Sequence, residues 1–235
     1  MGVLVTLSRS LVFAVVVAAG LAPCHGASSE LGLTTTVTTI PRIKRPIELK
    51  DLFHPKSLRR LKKVERFVQA EPNNGLPPAH HTEAYLAHDG RDLLVFFVCS
   101  DPEYHLALKE KAENDRLEVV IDIMDGHQRS YLFTSDPLGH QEAALFDQGK
   151  FQKDLEQPWR VANKLTPDGY VLEISIPLSM FPSNLTNPNV RGIWGIRLRR
   201  WLGHSHEYVR WPPDCGEKTC SSLEQRAGQP AGGRQ

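Results

Sequence analysis

The sequence predicts an all-β protein, a two-sheet antiparallel β-sandwich of the jelly-roll kind. Many short segments alternate apolar and polar residues, and residues 169–177, GYVLEISIP, do so most regularly. Turn residues separate these segments, as Pro167 and Asp168 do just before Gly169. From residue 82 onward no long helical pattern intervenes. Short alternating strands joined by tight turns favour a sandwich, because each strand buries its apolar face against a second sheet.

The composition fits one globular domain and gives no electrostatic reason to expect nucleic acid as a partner. The chain has 235 residues, of which 40% are hydrophobic and 23% charged, and its formal net charge is +1. Nucleic-acid binding normally requires a strongly basic surface. We place the domain at residues 34–213. Residues 214–235 are polar and rich in glycine, and we expect this tail to be disordered.

Residues 1–26 have the features of a secretory signal peptide. An unbroken apolar run, LVFAVVVAAGLA, occupies residues 11–22 and is followed by small residues at 26–28. The run is short for a membrane-spanning helix, so cleavage on export is the main interpretation. It implies a secreted, periplasmic or cell-surface protein. An uncleaved membrane anchor and lipidation at Cys24 stay open as alternatives.

Export changes how the other cysteines are interpreted. Cys99 ends an apolar strand and is expected to be a buried thiol. Cys215 and Cys220 bracket the residues GEKT, and in an oxidising compartment we expect them to form a disulfide. A structural zinc site at this pair would need two further ligands, which the sequence does not show nearby.

Two segments precede the main series of strands. Residues 33–40, LTTTVTTI, are typical of a β-strand. Residues 55–70 place Leu58, Leu61 and Val64 at helical spacing, which predicts an amphipathic helix with its basic residues in solvent.

The main series contains seven strand segments, one of which is a hairpin through the turn PDG. Residues 92–100, DLLVFFVCS, are apolar on both faces and are therefore expected at the centre of a sheet. The predicted segments are 82–88, 92–100, 116–124, 130–139, 159–177, 193–202 and 206–211. The predicted core residues are Leu117, Val119, Ile121, Tyr170, Leu172, Ile174, Ile176, Ile196 and Leu198.

Polar residues on the opposite strand faces suggest a functional surface. If the apolar faces all point inward, one outer surface would collect Glu118, Glu173, Arg197, Arg199 and Trp201. We expect Glu173 to lie within ion-pair reach of Arg197 or Arg199. Such a surface has two interpretations: ordinary cross-strand ion pairs, which the residues alone favour, or a site where charged groups and an indole hold a polyhydroxylated ring.

Four segments and a final tryptophan, in this order, resemble carbohydrate-binding module family 9. They are residues 64–102, 114–143, 168–181 and 194–200, followed by Trp211, and the resemblance runs from about residue 40 to 213. The chain is particularly similar to the variant at the N-terminus of large bacterial outer-membrane proteins. The resemblance implies a DOMON-like sandwich that binds saccharides and is not an enzyme. It also implies an outer-membrane or hydrolase partner.

The resemblance indicates where a saccharide would bind. Glu118 takes the place of the family's binding carboxylate, and Asp136 and Thr134 fall where the family has an Asn and an Arg. The two indoles that clamp the sugar in the family have no counterpart at residues 111–113 or near the Cys215–Cys220 loop. We suggest that Trp201 or Trp159 supplies the aromatic contact with the sugar instead. The predicted carbohydrate-binding residues are Glu118, Asp136, Glu173, Arg197, Arg199 and Trp201.

Other site types have weaker support in the sequence. His204 and His206 form an HxH pair that some metal sites use, although a solvent-exposed pair is the simpler interpretation. No cofactor is expected, although structural calcium, which family members bind, stays open as an alternative with candidate ligands among Asp89, Asp101, Asp122 and Asp125.

Three functions therefore stand as hypotheses. The first is an exported, non-catalytic saccharide-binding module. The second is an accessory or protein-interaction domain that kept the fold and lost the sugar site, which the missing indole clamp favours. The third, more remote, is a haem-binding redox domain that would use Met124 or Met180 with a histidine as axial ligands.

Overall fold

The structure, a computed structural model, describes residues 3–8, 12–19, 34–45, 47, 49–53, 55–107, 115–124, 128–153, 155, 158–181 and 193–213. Strands dominate these ranges and the helices are short. None of the helices found there is long and apolar enough to span a membrane.

The elements follow one another in the chain as short strands with few helical turns between them. The strands are β1 (Val3–Ser8), β2 (Val12–Ala19), β3 (Thr34–Ile40), β4 (Lys62–Val64), β5 (Val68–Glu71), β6 (Thr82–His88), β7 (Asp92–Ser100), β8 (Arg116–Met124), β9 (Gln128–Ser135), β10 (Gln141–Asp147), β11 (Lys150–Lys153), β12 (Arg160–Thr166), β13 (Gly169–Pro177), β14 (Ile193–Leu202) and β15 (Glu207–Trp211). The helices are α1 (Pro55–Leu58), α2 (Tyr104–Ala107) and the 3₁₀ turns Leu49–Phe53 and Leu178–Met180.

The strands form two antiparallel sheets. The large sheet has the order β11-β10-β9-β8-β14-β1-β2-β3, and β15 joins it by pairing with both β14 and β5. The small sheet has the order β12-β13-β7-β6-β4. Every pairing between these strands is antiparallel. The predicted fold class, a two-sheet antiparallel sandwich, is confirmed.

The main hydrophobic core lies between the two sheets. It takes alternate residues from β8 and β14 of the large sheet and from β7 and β13 of the small one. All nine predicted core residues belong to it and are buried. Residues at every second position of a strand share a face, so the alternation in the sequence is sufficient to identify them.

A second hydrophobic cluster covers the outer face of the small sheet. Leu94 and Phe96 point away from the main core and contact Ile43 and Ile47 from the segment that precedes β4. This second layer explains why β7 is apolar on both faces. The strand is central, between β13 and β6, as its sequence predicts.

The helix predicted for residues 55–70 is wrong. Only Pro55–Leu58 is helical, and β4 and β5 occupy much of the rest. Arg66 has a φ of 66°, which is incompatible with a continuous helix. Val64 and Phe67 still reach the main core. Pairing of β4 with β6 and of β5 with β15 outweighs the local helical pattern.

The β10–β11 hairpin is an element that the sequence analysis missed. Its turn residues, Gln148 and Gly149, have φ values of 47° and 82°. Two successive positive φ angles are typical of the tight turns that join hairpin strands, and the glycine is the local signal for such a turn.

Several predictions about the two ends of the chain are not tested here. β1 and β2 lie in the predicted signal peptide, where β1 pairs with β14 and β2 pairs with β3, and cleavage of this segment stays a prediction. Cys24, Cys215, Cys220 and the tail from residue 214 lie outside the described residues, so the lipidation alternative, the disulfide and the tail's disorder also stay predictions. Cys99 is a buried free thiol, as predicted.

Candidate functional site

The outer face of the large sheet gathers most of the predicted site residues. Glu118 on β8 lies directly opposite Arg199 on β14. Its chain neighbours, Leu117 and Val119, point into the main core, so the Glu118 side chain points outward. Arg197 and Trp201, two residues to either side of Arg199, share this face. The common face follows from the strand alternation, as the sequence analysis inferred.

Two acid–base pairs organise this face. The Arg199 guanidinium lies 3.5 Å from the Glu118 carboxylate and 5.8 Å from the centre of the Tyr208 ring. The Tyr208 hydroxyl donates to the same carboxylate at 3.3 Å. The Arg197 guanidinium donates to Asp122 at 2.9 Å. Because both arginines are only 2% exposed, they fix the carboxylates in place and do not present free positive charge to solvent.

A shallow groove with a cavity volume of about 60 Å³ lies beside Glu118 on this face. It runs across β8, β9, β10 and β11, which present side chains of both charges, a hydroxyl and one aromatic ring. Its lining residues include Arg116, Glu118, Thr134, Glu142, Phe151 and Lys153. Carboxylates and cations held in fixed positions can exchange hydrogen bonds with the hydroxyls of a ligand, and the ring can cover an apolar patch.

Asp136 is engaged within its own turn. One carboxylate oxygen accepts the backbone N–H groups of Leu138 and His140, each at 3.0 Å. The other lies 2.6 Å from Nδ1 of His140. The carboxylate therefore shapes the loop after β9, and its predicted role with a saccharide stays a prediction. Thr134, two residues earlier, lines the groove beside Glu118.

The tryptophans differ in their availability to a ligand. Trp201 is partly exposed on the outer face of the large sheet, with its ring 6.0 Å from that of His206. Trp159 is buried in the main core against Phe133, so it cannot serve as the substitute aromatic, and that suggestion is wrong. Trp211 is also buried in the core.

The predicted pairing of Glu173 with Arg197 or Arg199 is wrong. Glu173 lies on β13 in the small sheet, opposite Phe96, whereas both arginines lie on β14 in the large sheet. The two strands face each other across the core, and their polar sides point in opposite directions. Strand alternation identifies which face is polar, but it does not determine which sheet a strand joins.

Glu173 instead faces a groove of mixed charge at the edge of the second hydrophobic cluster. It shares this groove with Arg42, Lys44 and Arg160. The Ser175 hydroxyl donates to its carboxylate at 2.9 Å. Burial raises the pKa of Glu173, which the Ser175 hydrogen bond and the nearby Arg160 only partly oppose. Arg160 itself pairs with Asp92 at 2.6 Å.

A buried ionic cluster around Arg200 was missed by the sequence analysis. Arg200 lies on the inward side of β14 and is completely buried. It donates to Asp101 at 2.7 Å and to Asp115 at 2.8 Å, and its guanidinium lies 5.3 Å from the centre of the Tyr170 ring. Strand alternation predicts that Arg200 points inward, because it lies two residues after the core residue Leu198. The carboxylates that neutralise its charge come from loops distant in sequence, which the alternation does not identify.

The residues named for metal sites lie in several different surroundings. His204 and His206 do not act together: His204 meets His80, whereas His206 lies beside Trp201. Among the described aspartates named for calcium, Asp101 belongs to the Arg200 cluster and Asp122 pairs with Arg197. Asp89 caps the turn before β7. Asp125 lies outside the described residues, and calcium stays an open alternative.

Comparison with known proteins supports the fold class. No protein-family model matches the sequence, and no curated protein matches it either. A candidate carbohydrate-binding protein from Bacteroides uniformis matches in structure with a TM-score of 0.50 and 10% identity, covering 73% of this chain and 86% of that one. A family 9 carbohydrate-binding module from Caldicellulosiruptor kristjanssonii, solved with cellotriose, matches with a TM-score of 0.47 and 14% identity, covering 72% and 81%.

The fold thus has a known counterpart. At 10% identity, the likeness to the Bacteroides uniformis protein is one of architecture: the two chains share a β-sandwich fold over most of their lengths. The outer-membrane variant inferred from the sequence stays a prediction.

Proposed function

We propose that this chain is a non-catalytic saccharide-binding module. The ligand lies in the groove on the outer face of the large sheet, beside Glu118. The sequence resemblance to carbohydrate-binding module family 9 and the chemistry of this groove support the proposal.

The observation that carries the proposal is the fixed orientation of Glu118 at the groove. Arg199 and Tyr208 hold its carboxylate from one side. A carboxylate has about four lone-pair sites, so these two contacts leave capacity for sugar hydroxyls. Because the groups are already ordered, binding a saccharide would cost little side-chain entropy.

The rest of the groove suits a polyhydroxylated ligand. Glu142 and Lys153 offer an acceptor and a donor on the strands farther from β14, and Thr134 offers a hydroxyl between Glu142 and Glu118. Phe151 supplies a ring that can contact the C–H face of a pyranose. We propose Phe151 as the aromatic contact, with Trp201 on the same sheet face as a second one. Neither lies where the family has its clamp.

The accessory-domain alternative also has an observation in its favour. Arg197 and Arg199, two of the predicted binding residues, are buried and already paired. An ion-paired face of this kind is also what a sheet needs for its own stability. In that case the groove would bind no saccharide.

A glycan array followed by titration calorimetry tests the proposal. The array, probed with the full chain, identifies a saccharide, and calorimetry then compares the wild type with Phe151→Ala and Trp201→Ala. We expect Phe151→Ala to weaken binding by about 2- to 10-fold, since aromatic contacts of this kind contribute about 0.5–1.5 kcal/mol.

The matched control is Lys44→Ala, in the groove of the small sheet. It should leave the affinity unchanged, and the melting temperatures of all variants should stay close to that of the wild type. Equal affinities in wild type and Phe151→Ala would place the ligand elsewhere. No binding to any glycan would retire the proposal in favour of the accessory domain.

A further inference from the structure

Two histidines distant in sequence meet at one end of the sandwich. His80 lies in the loop before β6, and His204 lies in the turn between β14 and β15. Their Nε2 atoms are 3.3 Å apart. Glu103, which follows β7, has a carboxylate oxygen 3.8 Å from the His204 Nε2. One ligand atom from each of the three side chains lies within 4.8 Å of the others.

We propose that His80, His204 and Glu103 bind a divalent transition metal, with zinc as the best fit. Zinc bonds to histidine nitrogen are about 2.0–2.1 Å long, so two nitrogens on a tetrahedral ion are roughly 3.3–3.4 Å apart. The observed spacing of 3.3 Å is that tetrahedral edge. Two imidazoles and one carboxylate are a common zinc ligand set, with the fourth position left to solvent.

Glu103 is the exposed member of the three. Its side chain is 58% exposed, so a change of its rotamer toward the histidines would not have to displace the core. His80 and His204 are partly buried and already face each other. The site is thus half formed by the fold and open to solvent on one side.

A buried carboxylate lies beside the histidines. Nδ1 of His80 and Nε2 of His204 each lie 3.8 Å from Asp101. Asp101 is held in place by Arg200 and by the backbone N–H of Glu103. At 3.8 Å the carboxylate makes no hydrogen bond to either ring, but its negative charge adds to the attraction of the site for a cation.

The nitrogen ligands distinguish this site from a calcium site. Calcium takes oxygen ligands almost exclusively, whereas imidazole favours zinc, copper and nickel.

The simpler interpretation of the contact between His80 and His204 is a hydrogen bond between the two imidazoles. A separation of 3.3 Å is at the long end for that bond. The inference does not depend on saccharide binding.

Metal content and spectroscopy test the site on the full-length chain. Protein stripped with a chelator is dialysed against a series of zinc chloride concentrations up to saturation, and the bound metal is measured for wild type, His80→Gln, His204→Gln and the control His81→Gln. His81 is the adjacent residue, is 67% exposed and contacts Glu83 instead. We expect one zinc per wild-type chain, an affinity at least about 10-fold lower in the His80 and His204 variants, and no change in the control.

Cobalt replaces zinc in a parallel sample to report the ligand type. A nitrogen and oxygen ligand set gives the visible absorption of tetrahedral cobalt without the near-ultraviolet band that thiolates produce. Zinc should also raise the melting temperature of the wild type, and the chelator should reverse the shift. A wild type that binds no zinc, a thiolate band, or an equal loss in the His81 control would each overturn the proposal.

Discussion

Replacing Arg200 should cost the protein a large part of its stability. Arg200→Met keeps the volume of the side chain but removes its charge from between Asp101 and Asp115, both of which are buried. It deletes charge-assisted hydrogen bonds of 2.7 and 2.8 Å and a further bond of 3.1 Å to Thr82. Breaking a buried ion pair by removing one partner costs about 3–5 kcal/mol, because the other charge is left buried and unpaired.

The size of that loss is measured by urea unfolding followed by tryptophan fluorescence. The control is Arg160→Met, which breaks the 2.6 Å pair with Asp92. Because the Arg160 side chain is 63% exposed, this loss should stay below about 1 kcal/mol.

A further variant separates charge from shape. Adding Asp101→Asn and Asp115→Asn to Arg200→Met removes the unpaired carboxylates, so much of the lost stability should return. If Arg200→Met costs no more than Arg160→Met, the cluster is not the buried, neutralised set that the structure shows, and the reasoning fails.

Two further predictions concern buried titratable groups. Glu173→Gln should stabilise the protein modestly at pH 7, by about 0.5 kcal/mol, because burial penalises the carboxylate. Because the pKa of Glu173 is raised in the folded protein, the wild type gains stability from this group as the pH falls. The advantage of the variant should therefore vanish below the ordinary pKa of 4.5. Thermal unfolding at pH 7 and at a pH below 4.5 checks this, and an equal stability difference at the two pH values would contradict it. Burial raises the pKa of Cys99 to about 11, so Cys99 should resist alkylation at pH 8 in the folded protein and react in urea. Peptide mapping after iodoacetamide treatment measures this, and rapid modification of the native protein would contradict it.

The strand alternation predicted the sandwich and its core because it depends only on local sequence. Leu172 and Ile174 flank Glu173, and their burial follows from a period of two regardless of which strands pair. The same alternation placed Glu118 and Arg199 on one outer face. Their pairing was not predicted, because it also requires β8 and β14 to be neighbours in the sheet.

Contacts that depend on which strands become neighbours in a sheet could not be predicted from the sequence. Glu173 has the same alternation as Glu118 but lies in the other sheet, and nothing local to β13 shows this. The segment at 55–70 has a helical pattern that pairing with β6 and β15 overrides.

Contacts between loops that are distant in sequence could not be predicted from the strand period. His204 was singled out with His206, its neighbour in sequence, whereas its partner in space is His80. Asp101 and Asp115 meet Arg200 only because the loops around them converge at one end of the sandwich. Such clusters depend on the closed fold.

Titration calorimetry of the wild type and Glu118→Gln against the same saccharide tests the central claim most directly. Glutamine keeps the shape of the side chain but removes the negative charge that Arg199 and Tyr208 hold at the groove. We predict heat of binding for the wild type and an affinity lower by about 10-fold or more for Glu118→Gln, because a hydrogen bond to a charged group contributes about 1.5–3 kcal/mol. Equal binding by the two proteins, with both folded, would contradict the placement of a saccharide at Glu118.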